Sequence, residues 1–252
     1  MMILTVPSWV IPGTYLENLV FLHRQAAGGC CSVRGVELLF FLYNREIQTL
    51  LDAEWEGIQA MGSRFTFTAH LPDPLLPVHA DLVQRLLPLS RHCILHPGLP
   101  ENAEALAALI GSWIKRFSPL FPPASLAAQG QEACPFLVEN TLPGRLEALL
   151  AYLPDEAGLC MDTGHLLLEG KRPLAFYQDY GNRIREIHLH GVAWEQARID
   201  GRLPDHRPLR AEERWFQELV PVLADFTGVV NLEVFSWEEV LESMAVLQAA
   251  GL

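Results

Sequence analysis

The sequence predicts a single (β/α)₈ barrel, in which eight parallel strands alternate with helices. Short apolar runs alternate with longer amphipathic segments from one end of the chain to the other. The length of 252 residues also fits, because barrels of this kind use about 250 residues as one domain. Since no linker or low-complexity segment interrupts the alternation, we expect residues 1–252 to form one domain.

Eight short runs have the composition of strands, with β-branched, aromatic or aliphatic residues in succession. They are Leu4–Ile11, Val33–Tyr43, Arg64–His70, His92–His96, Pro135–Glu139, Gly158–Asp162, Ile184–His190 and Val229–Phe235. The stretch Val36–Leu42 is apolar almost throughout, which is typical of a parallel strand buried on both faces.

Amphipathic segments with apolar residues three or four apart lie between these runs and after the last, and they predict helices. They are Tyr15–Ala26, Arg45–Met61, Ala80–Leu87, Asn102–Phe117, Leu146–Leu153, Leu174–Tyr180, Ala211–Ala224 and Trp237–Ala249. A predicted helix therefore follows each predicted strand.

Composition excludes several classes of protein. Half of the residues are hydrophobic (50%), which excludes intrinsic disorder. The net charge of −12 argues against a partner that is nucleic acid or an anionic membrane. The opening segment lacks a basic region and contains Pro7 and Pro12 within its apolar stretch, so we expect no signal peptide and a soluble, cytoplasmic protein.

The five cysteines are predicted to be buried thiols. No two of them form a CxxC pair, so a disulfide framework or a structural zinc ribbon is not expected. They are Cys30, Cys31, Cys93, Cys134 and Cys160.

Side chains that can bind metal ions recur where predicted strands end. They are His70 in TAHLPDPL, His96 in ILHPG, Glu139 in FLVENT, Asp162 and His165 in LCMDTGH, His188 and His190 in IHLHG, Asp205 and His206 in PDHRP, and Glu233 in NLEVFS. In a (β/α)₈ barrel these positions converge on one rim, where active sites are built.

Such a cluster predicts a metal centre, because polar groups at apolar strand ends are costly to bury unless a cation compensates them. Carboxylates with imidazoles, and no thiolate, suit zinc, with manganese as the alternative. The motifs offer more ligands than one tetrahedral ion can use. We therefore expect two or three ions per chain, with Glu139 as the bridging carboxylate.

Several residues keep two interpretations. A lone histidine is more often structural, but six of the nine histidines lie in these motifs. His190 shares strand parity with His188 and is expected to support a ligand or to face the substrate. Glu37 is either functional or paired lower in the barrel. Lys171 and Arg172 form either a solvated pair or a phosphate contact.

The motifs resemble the xylose isomerase-like barrel superfamily, and more closely its branch of endonuclease IV-type apurinic-site nucleases. The resemblance covers strands three to eight, about two-thirds of the chain. It implies three zinc sites: His70, His96 and Glu139; Glu139, Asp162, His188 and Glu233; and His165 with Asp205 and His206. The nucleases have one residue between the Asp and His of the last motif, whereas here the two are adjacent. The sequence leaves open whether Asp205 or only His206 is a ligand there.

Within this branch the sequence looks most like the cobamide-remodelling phosphodiesterases. The motifs that carry this resemblance are, in order, IPGTYLENLVFL, VELLFF, HLPDPL, DTGHLLLEG, IHLHGV and DHRPL. It implies a corrinoid substrate whose nucleotide loop is hydrolysed to cobinamide phosphate and α-ribazole. Glu139, Glu233 and His165 are then the predicted catalytic residues.

Two other functions fit the same rim. A sugar isomerase or epimerase would use one Mn²⁺ held by Glu139, Asp162, His188 and Glu233, for which the remaining histidines are surplus. An apurinic-site nuclease would share the metal site, but a chain with a net charge of −12 lacks the general basic character of a duplex binder.

Overall fold

Eight parallel strands close into one barrel in chain order in the computed structural model, which describes residues 2–28, 32–120, 135–153, 157–201 and 203–252. The strands are β1 (Ile3–Pro7), β2 (Gly35–Leu39), β3 (Thr66–His70), β4 (Ser90–Leu95), β5 (Phe136–Glu139), β6 (Gly158–Asp162), β7 (Ile184–His188) and β8 (Val229–Asn231). Pairing of β1 with β8 completes the ring. The predicted fold class is confirmed.

Ten α-helices surround the barrel in the described part of the chain. They are α1 (Tyr15–Ala27), α2 (Arg45–Met61), α3 (Ala80–Leu86), α4 (Ala103–Phe117), α5 (Arg145–Leu150), α6 (Thr163–Leu168), α7 (Pro173–Tyr180), α8 (Trp194–Asp200), α9 (Arg214–Asp225) and α10 (Trp237–Ala249). The sequence analysis predicted no helix at α6 or α8, which have six and seven residues.

Three strands end four residues earlier than predicted. β1 ends at Pro7, β2 at Leu39 and β8 at Asn231, although the apolar sequence continues beyond each of them. Some of these residues, such as Val10 and Phe40, are buried as parts of loops. An apolar run therefore marked burial in these places, and not strand pairing.

The main hydrophobic core lies between the barrel and its helices, where residues such as Leu19, Ile58 and Phe216 are buried. The interior of the barrel is polar in part: Glu37, Thr68 and Glu186 are all completely buried there. This polar layer lies next to the strand ends that carry the predicted metal ligands.

Cys93 and Cys160 are free and buried, as predicted, whereas Cys30, Cys31 and Cys134 lie outside the described residues. Within the described ranges, no helix combines the length and the apolar composition that crossing a bilayer requires.

Candidate metal centre

The predicted ligands meet at the carboxyl ends of the strands. His70, Glu139, Asp162 and His188 are the last residues of β3, β5, β6 and β7, and the other ligands follow in adjoining loops or in α6. They form three groups whose ligand atoms lie within 4.8 Å of one another: His70, His96 and Glu139; Glu139, Asp162, His188 and Glu233; and His165, Asp205 and His206. The same sets were predicted from the resemblance.

Glu139 lies between the groups. Its Oε2 atom is 3.0 Å from Nε2 of His70 and 3.5 Å from Nε2 of His96. Its Oε1 atom is 3.6 Å from Nδ1 of His188 and 3.4 Å from Nδ1 of His165. Because the two carboxylate oxygens face different imidazoles, Glu139 has the placement of a bridging ligand.

The inner imidazoles are oriented by hydrogen bonds on the side away from the centre. Nδ1 of His70 donates to the Leu71 carbonyl at 3.1 Å, and Nδ1 of His96 donates to Asp73 at 3.0 Å. Nε2 of His188 donates to Glu37 at 2.9 Å. Each ring therefore directs its second nitrogen towards the carboxylates, where it would become a ligand atom if a cation replaced its proton.

The outer imidazoles follow the same rule. Nδ1 of His165 donates to the Asn140 carbonyl at 2.9 Å, and Nδ1 of His206 donates to the Glu233 carbonyl at 3.1 Å. The Nε2 atoms of both rings are therefore the possible ligand atoms. Backbone carbonyls in the segments just after β5 and β8 thus orient two side chains, one in a helix and one in a loop.

The adjacent Asp205 and His206 both face His165. In an extended segment, neighbouring side chains point in opposite directions. Here His206 adopts a φ of +50°, in the left-handed region, which turns both side chains to the same side. This conformation costs about 1 to 2 kcal/mol in a residue other than glycine. The missing spacer residue therefore does not separate the Asp from the cluster.

His190 is completely buried and supports Asp162. Its Nε2 atom donates to Asp162 Oδ2 at 3.1 Å, and its Nδ1 atom accepts from the His206 backbone N–H at 2.9 Å. Both nitrogens are thus engaged within the protein. Its burial and contacts agree with the supporting role and not with a substrate-facing one.

A glycine in the DTGH motif makes room for this histidine. A Cβ atom on Gly164 would lie 1.9 Å from Cε1 of His190. Any larger residue would therefore displace the ring that holds Asp162.

Lys171 and Arg172 are not part of the cluster. Lys171 pairs with Glu169 at 2.7 Å, and Arg172 pairs with Glu218 at 2.8 Å. Both cations are largely exposed, at 46% and 64%. The contacts agree with the solvated interpretation and not with a phosphate contact at the metal centre.

The structure adds residues that the sequence analysis did not assign to the site. Asp73 orients His96, and it lies within the HLPDPL motif. His92 and Glu186 contact each other inside the barrel. The alternation of side chains along a strand could have indicated both residues, because His92 shares a face with His96 and Glu186 shares a face with His188. Only the closed barrel shows that these two side chains contact each other.

The electrostatics of the cluster favour positive charge. Burial lowers the pKa of His165, but Asp162 and Glu139 outweigh it and raise this pKa to about 11. The pKa of His96 is likewise raised to about 10, against burial, by Asp73 and Glu139. Burial raises the pKa of Glu139, yet His188 and His165 outweigh it and hold that pKa well below its usual value. A divalent cation would meet the same demand.

The residues present fit a divalent metal ion. Among the described residues, His188 Nδ1, Glu233 Oε2 and Asp205 Oδ1 are buried atoms without a satisfactory hydrogen bond, although the first two lie 3.1 Å from each other. All three are possible ligand atoms and belong to the groups defined above. Leaving such atoms unsatisfied is costly, and coordination would satisfy them. Imidazoles and carboxylates without thiolates suit zinc or manganese.

One side of the cluster is open to solvent. Glu139 is 1% exposed and His188 is completely buried, whereas the side chains of His96, His165 and His206 are 22%, 21% and 20% exposed. A cavity of about 390 Å³ reaches His96 and His165, and Arg145 also lines it. A substrate would therefore approach the outer imidazoles, with the carboxylates beneath them.

Comparison with known sequences gives a partial match. No family profile matches the chain. An inosose dehydratase from Lacticaseibacillus casei is 34% identical over 90 residues, which is 36% of this chain and 28% of that protein. The match thus spans little more than a quarter of the relative.

Solved structures resemble nearly the whole chain. The probable 3-DHS dehydratase AsbF from Bacillus anthracis has a TM-score of 0.65 at 14% identity, with 98% of this chain and 99% of that chain covered. The IolI protein with a bound zinc atom has a TM-score of 0.61 at 13% identity, with coverage of 99% and 96%. Endonuclease IV from Thermus thermophilus has a TM-score of 0.53 at 16% identity, with 98% of both chains covered.

These likenesses confirm the (β/α)₈ barrel fold. At such low identity they show the fold and leave the reaction open. The proteins named here do not include a cobamide phosphodiesterase, so the narrower resemblance remains a proposal.

Proposed function

We propose that this protein is a metal-dependent phosphodiesterase. The observation that carries the proposal is the position of Glu139, whose two oxygens face separate sets of imidazoles. Together with the group at Asp205 and His206, this arrangement offers donors for more than one ion. Divalent ions held there would lower the pKa of water to about 7 and neutralise charge on phosphate oxygens.

The protein's own residues would hold and orient this centre. Glu37 and Asp73 keep His188 and His96 in the tautomers that direct a free nitrogen inward. The Glu233 side chain lies 3.1 Å from Nδ1 of His188, and the Glu233 backbone carbonyl accepts a hydrogen bond from His206. The predicted catalytic residue His165 lies beside both Glu139 and Asp162 at the open side, 3.4 and 3.6 Å away. A phosphate group arriving there would meet His165 before the buried carboxylates.

The proposed substrate is the nucleotide loop of an adenosylated cobamide. In its hydrolysis, the oxygen of water bonds to phosphorus, the bond between phosphorus and the ribose oxygen breaks, and that oxygen receives a proton. The products are cobinamide phosphate and α-ribazole. Motif resemblance along the chain supports this substrate, and the net charge of −12 favours a corrinoid over duplex DNA.

A second candidate is a sugar isomerase or epimerase with one metal ion. The group of Glu139, Asp162, His188 and Glu233 is complete for one ion by itself. The partial match to an inosose dehydratase also favours chemistry on a sugar-like ring. An isomerase with one metal ion would not need the remaining side chains as ligands, which are His70, His96, His165, Asp205 and His206.

Product identification after incubation with adenosylcobalamin tests the proposal. The metal-replete protein under reducing conditions should yield cobinamide phosphate and α-ribazole, and the chelated protein should yield neither. The rate should change little between ~50 and ~200 mM salt, whereas a protein with 6–10 phosphate contacts would lose ~10³-fold or more in affinity. Efficient incision of an abasic duplex, or turnover of a sugar phosphate, with no corrinoid product would overturn the assignment.

A further inference from the structure

Three aromatic side chains form a hollow beside the metal centre. Trp9 follows β1, Phe41 follows β2 and Phe235 follows β8, so the three lie on neighbouring loops at the carboxyl end of the barrel. They line a cavity of about 340 Å³. Trp9 is 54% exposed and Phe41 is 37% exposed. Large aromatic surfaces left open beside a polar cluster are typical of a binding site.

This aromatic hollow touches two of the ligand groups. The Phe41 ring lies 5.5 Å from the ring of His70, and the Phe235 ring lies 4.8 Å from the ring of His206. Phe41 and Phe235 also contact each other, with ring centres 6.3 Å apart. A molecule in the hollow would therefore lie directly beside the centre formed by the His70 and His206 groups.

The two sides of the metal centre differ in chemistry. The residues that line the aromatic hollow carry no charge. The cavity on the other side, next to His96 and His165, is lined by Asp73, Arg145 and Glu169 as well as by apolar residues. A substrate that spans the centre should thus be asymmetric, with an uncharged planar part towards β1, β2 and β8.

We propose that Trp9, Phe41 and Phe235 form a stacking subsite for an uncharged aromatic ring attached to one side of the substrate's phosphodiester. This inference rests on the proposed phosphodiesterase function and adds the orientation of the substrate. In a cobamide the ring is the base of α-ribazole, and the corrin would then extend over the cavity at Arg145. Stacking suits this role because it holds a planar ring without requiring hydrogen bonds or charge.

Calorimetric titration of the metal-loaded protein with α-ribazole tests the subsite without any hydrolysis. Trp9→Ala and Phe41→Ala should each weaken binding about 5- to 150-fold, the range expected for the loss of one stacking aromatic side chain. Trp9→Phe, which keeps a ring, should retain most of the affinity. Methyl ribofuranoside, which has the sugar without the base, should bind to none of these proteins.

Tyr152→Ala is the matched control. Tyr152 is 56% exposed and follows α5, at the end of the barrel opposite to the metal centre. This variant should bind α-ribazole like the unaltered protein. Unchanged affinity in both Trp9→Ala and Phe41→Ala, or equal binding of methyl ribofuranoside, would overturn the subsite.

Kinetics separate this inference from the proposed function. If adenosylcobalamin is hydrolysed, Trp9→Ala should raise KM with kcat nearly unchanged; an unaltered KM would contradict the subsite and leave the phosphodiesterase in place. If no phosphodiester is hydrolysed but α-ribazole binding still depends on Trp9, the subsite stands and the proposed function fails.

Discussion

Glu37 Oε2 lies 2.9 Å from Nε2 of His188, although β2 and β7 are not neighbours in the barrel. Both side chains are completely buried. The carboxylate holds the proton of His188 on the nitrogen that faces the barrel interior. Nδ1 is then the possible ligand atom, beside Glu139 and Glu233. The candidate metal centre is therefore supported from inside the barrel.

Glu37→Gln should weaken metal binding about 10- to 100-fold, the usual effect of removing a carboxylate that orients a metal-bound histidine. Competition with a chromophoric chelator measures the affinity. Glu56→Gln changes an exposed glutamate on α2 and should leave the affinity as it was. An equal affinity in both variants would exclude this supporting role.

Glu139→Gln should reduce turnover at least ~10³-fold with the barrel intact, because an amide cannot share negative charge between two cations. The bound metal should also fall by about one ion per chain. Steady-state kinetics, metal analysis and circular dichroism check these outcomes. Near-normal turnover in a folded variant would place the chemistry elsewhere.

Gly164→Ala should destabilise the protein by about 1 to 3 kcal/mol, the range for adding a methyl group where there is no space. The added Cβ would lie 1.9 Å from the His190 ring, so metal affinity should fall as Asp162 moves. Gly111→Ala is the control, because a Cβ there meets nothing within 4 Å and alanine favours the helix. Denaturant unfolding compares them, and equal stability would contradict the packing argument.

Chelation of the metals should lower the unfolding temperature. The carboxylates of Glu139, Asp162 and Glu233 are buried, and without cations they depend on histidines for compensation. Ligand present at 100 times its Kd adds about 2.7 kcal/mol, which corresponds to roughly 5 to 10 °C in a chain of this size. Calorimetry before and after chelation measures the shift, and added Zn²⁺ should reverse it. An unchanged transition would indicate that no metal supports the fold.

The strand motifs were sufficient to predict that these side chains meet at one rim, whereas their division into three groups came from the resemblance. In an eight-stranded barrel, chain order alone carries the carboxyl end of every strand to one rim. His70 and Glu233 could therefore be assigned to one cluster although they lie far apart in the chain.

Contacts across the interior of the barrel were not predictable in the same way. Glu37 contacts His188, and His92 contacts Glu186, but each pair joins distant strands, and no local pattern specifies the partner. The backbone of His206 is a similar case. Its φ of +50° is set by its surroundings. A glycine at this position would have indicated a positive φ, but the residue is a histidine.

The number of bound ions tests the central claim most directly. Elemental analysis of fully active, metal-replete protein should give at least two divalent ions per chain, because Glu139 is placed between two ligand groups. A value of one ion or fewer in fully active protein would contradict the multinuclear phosphodiesterase and favour the isomerase with a single metal ion.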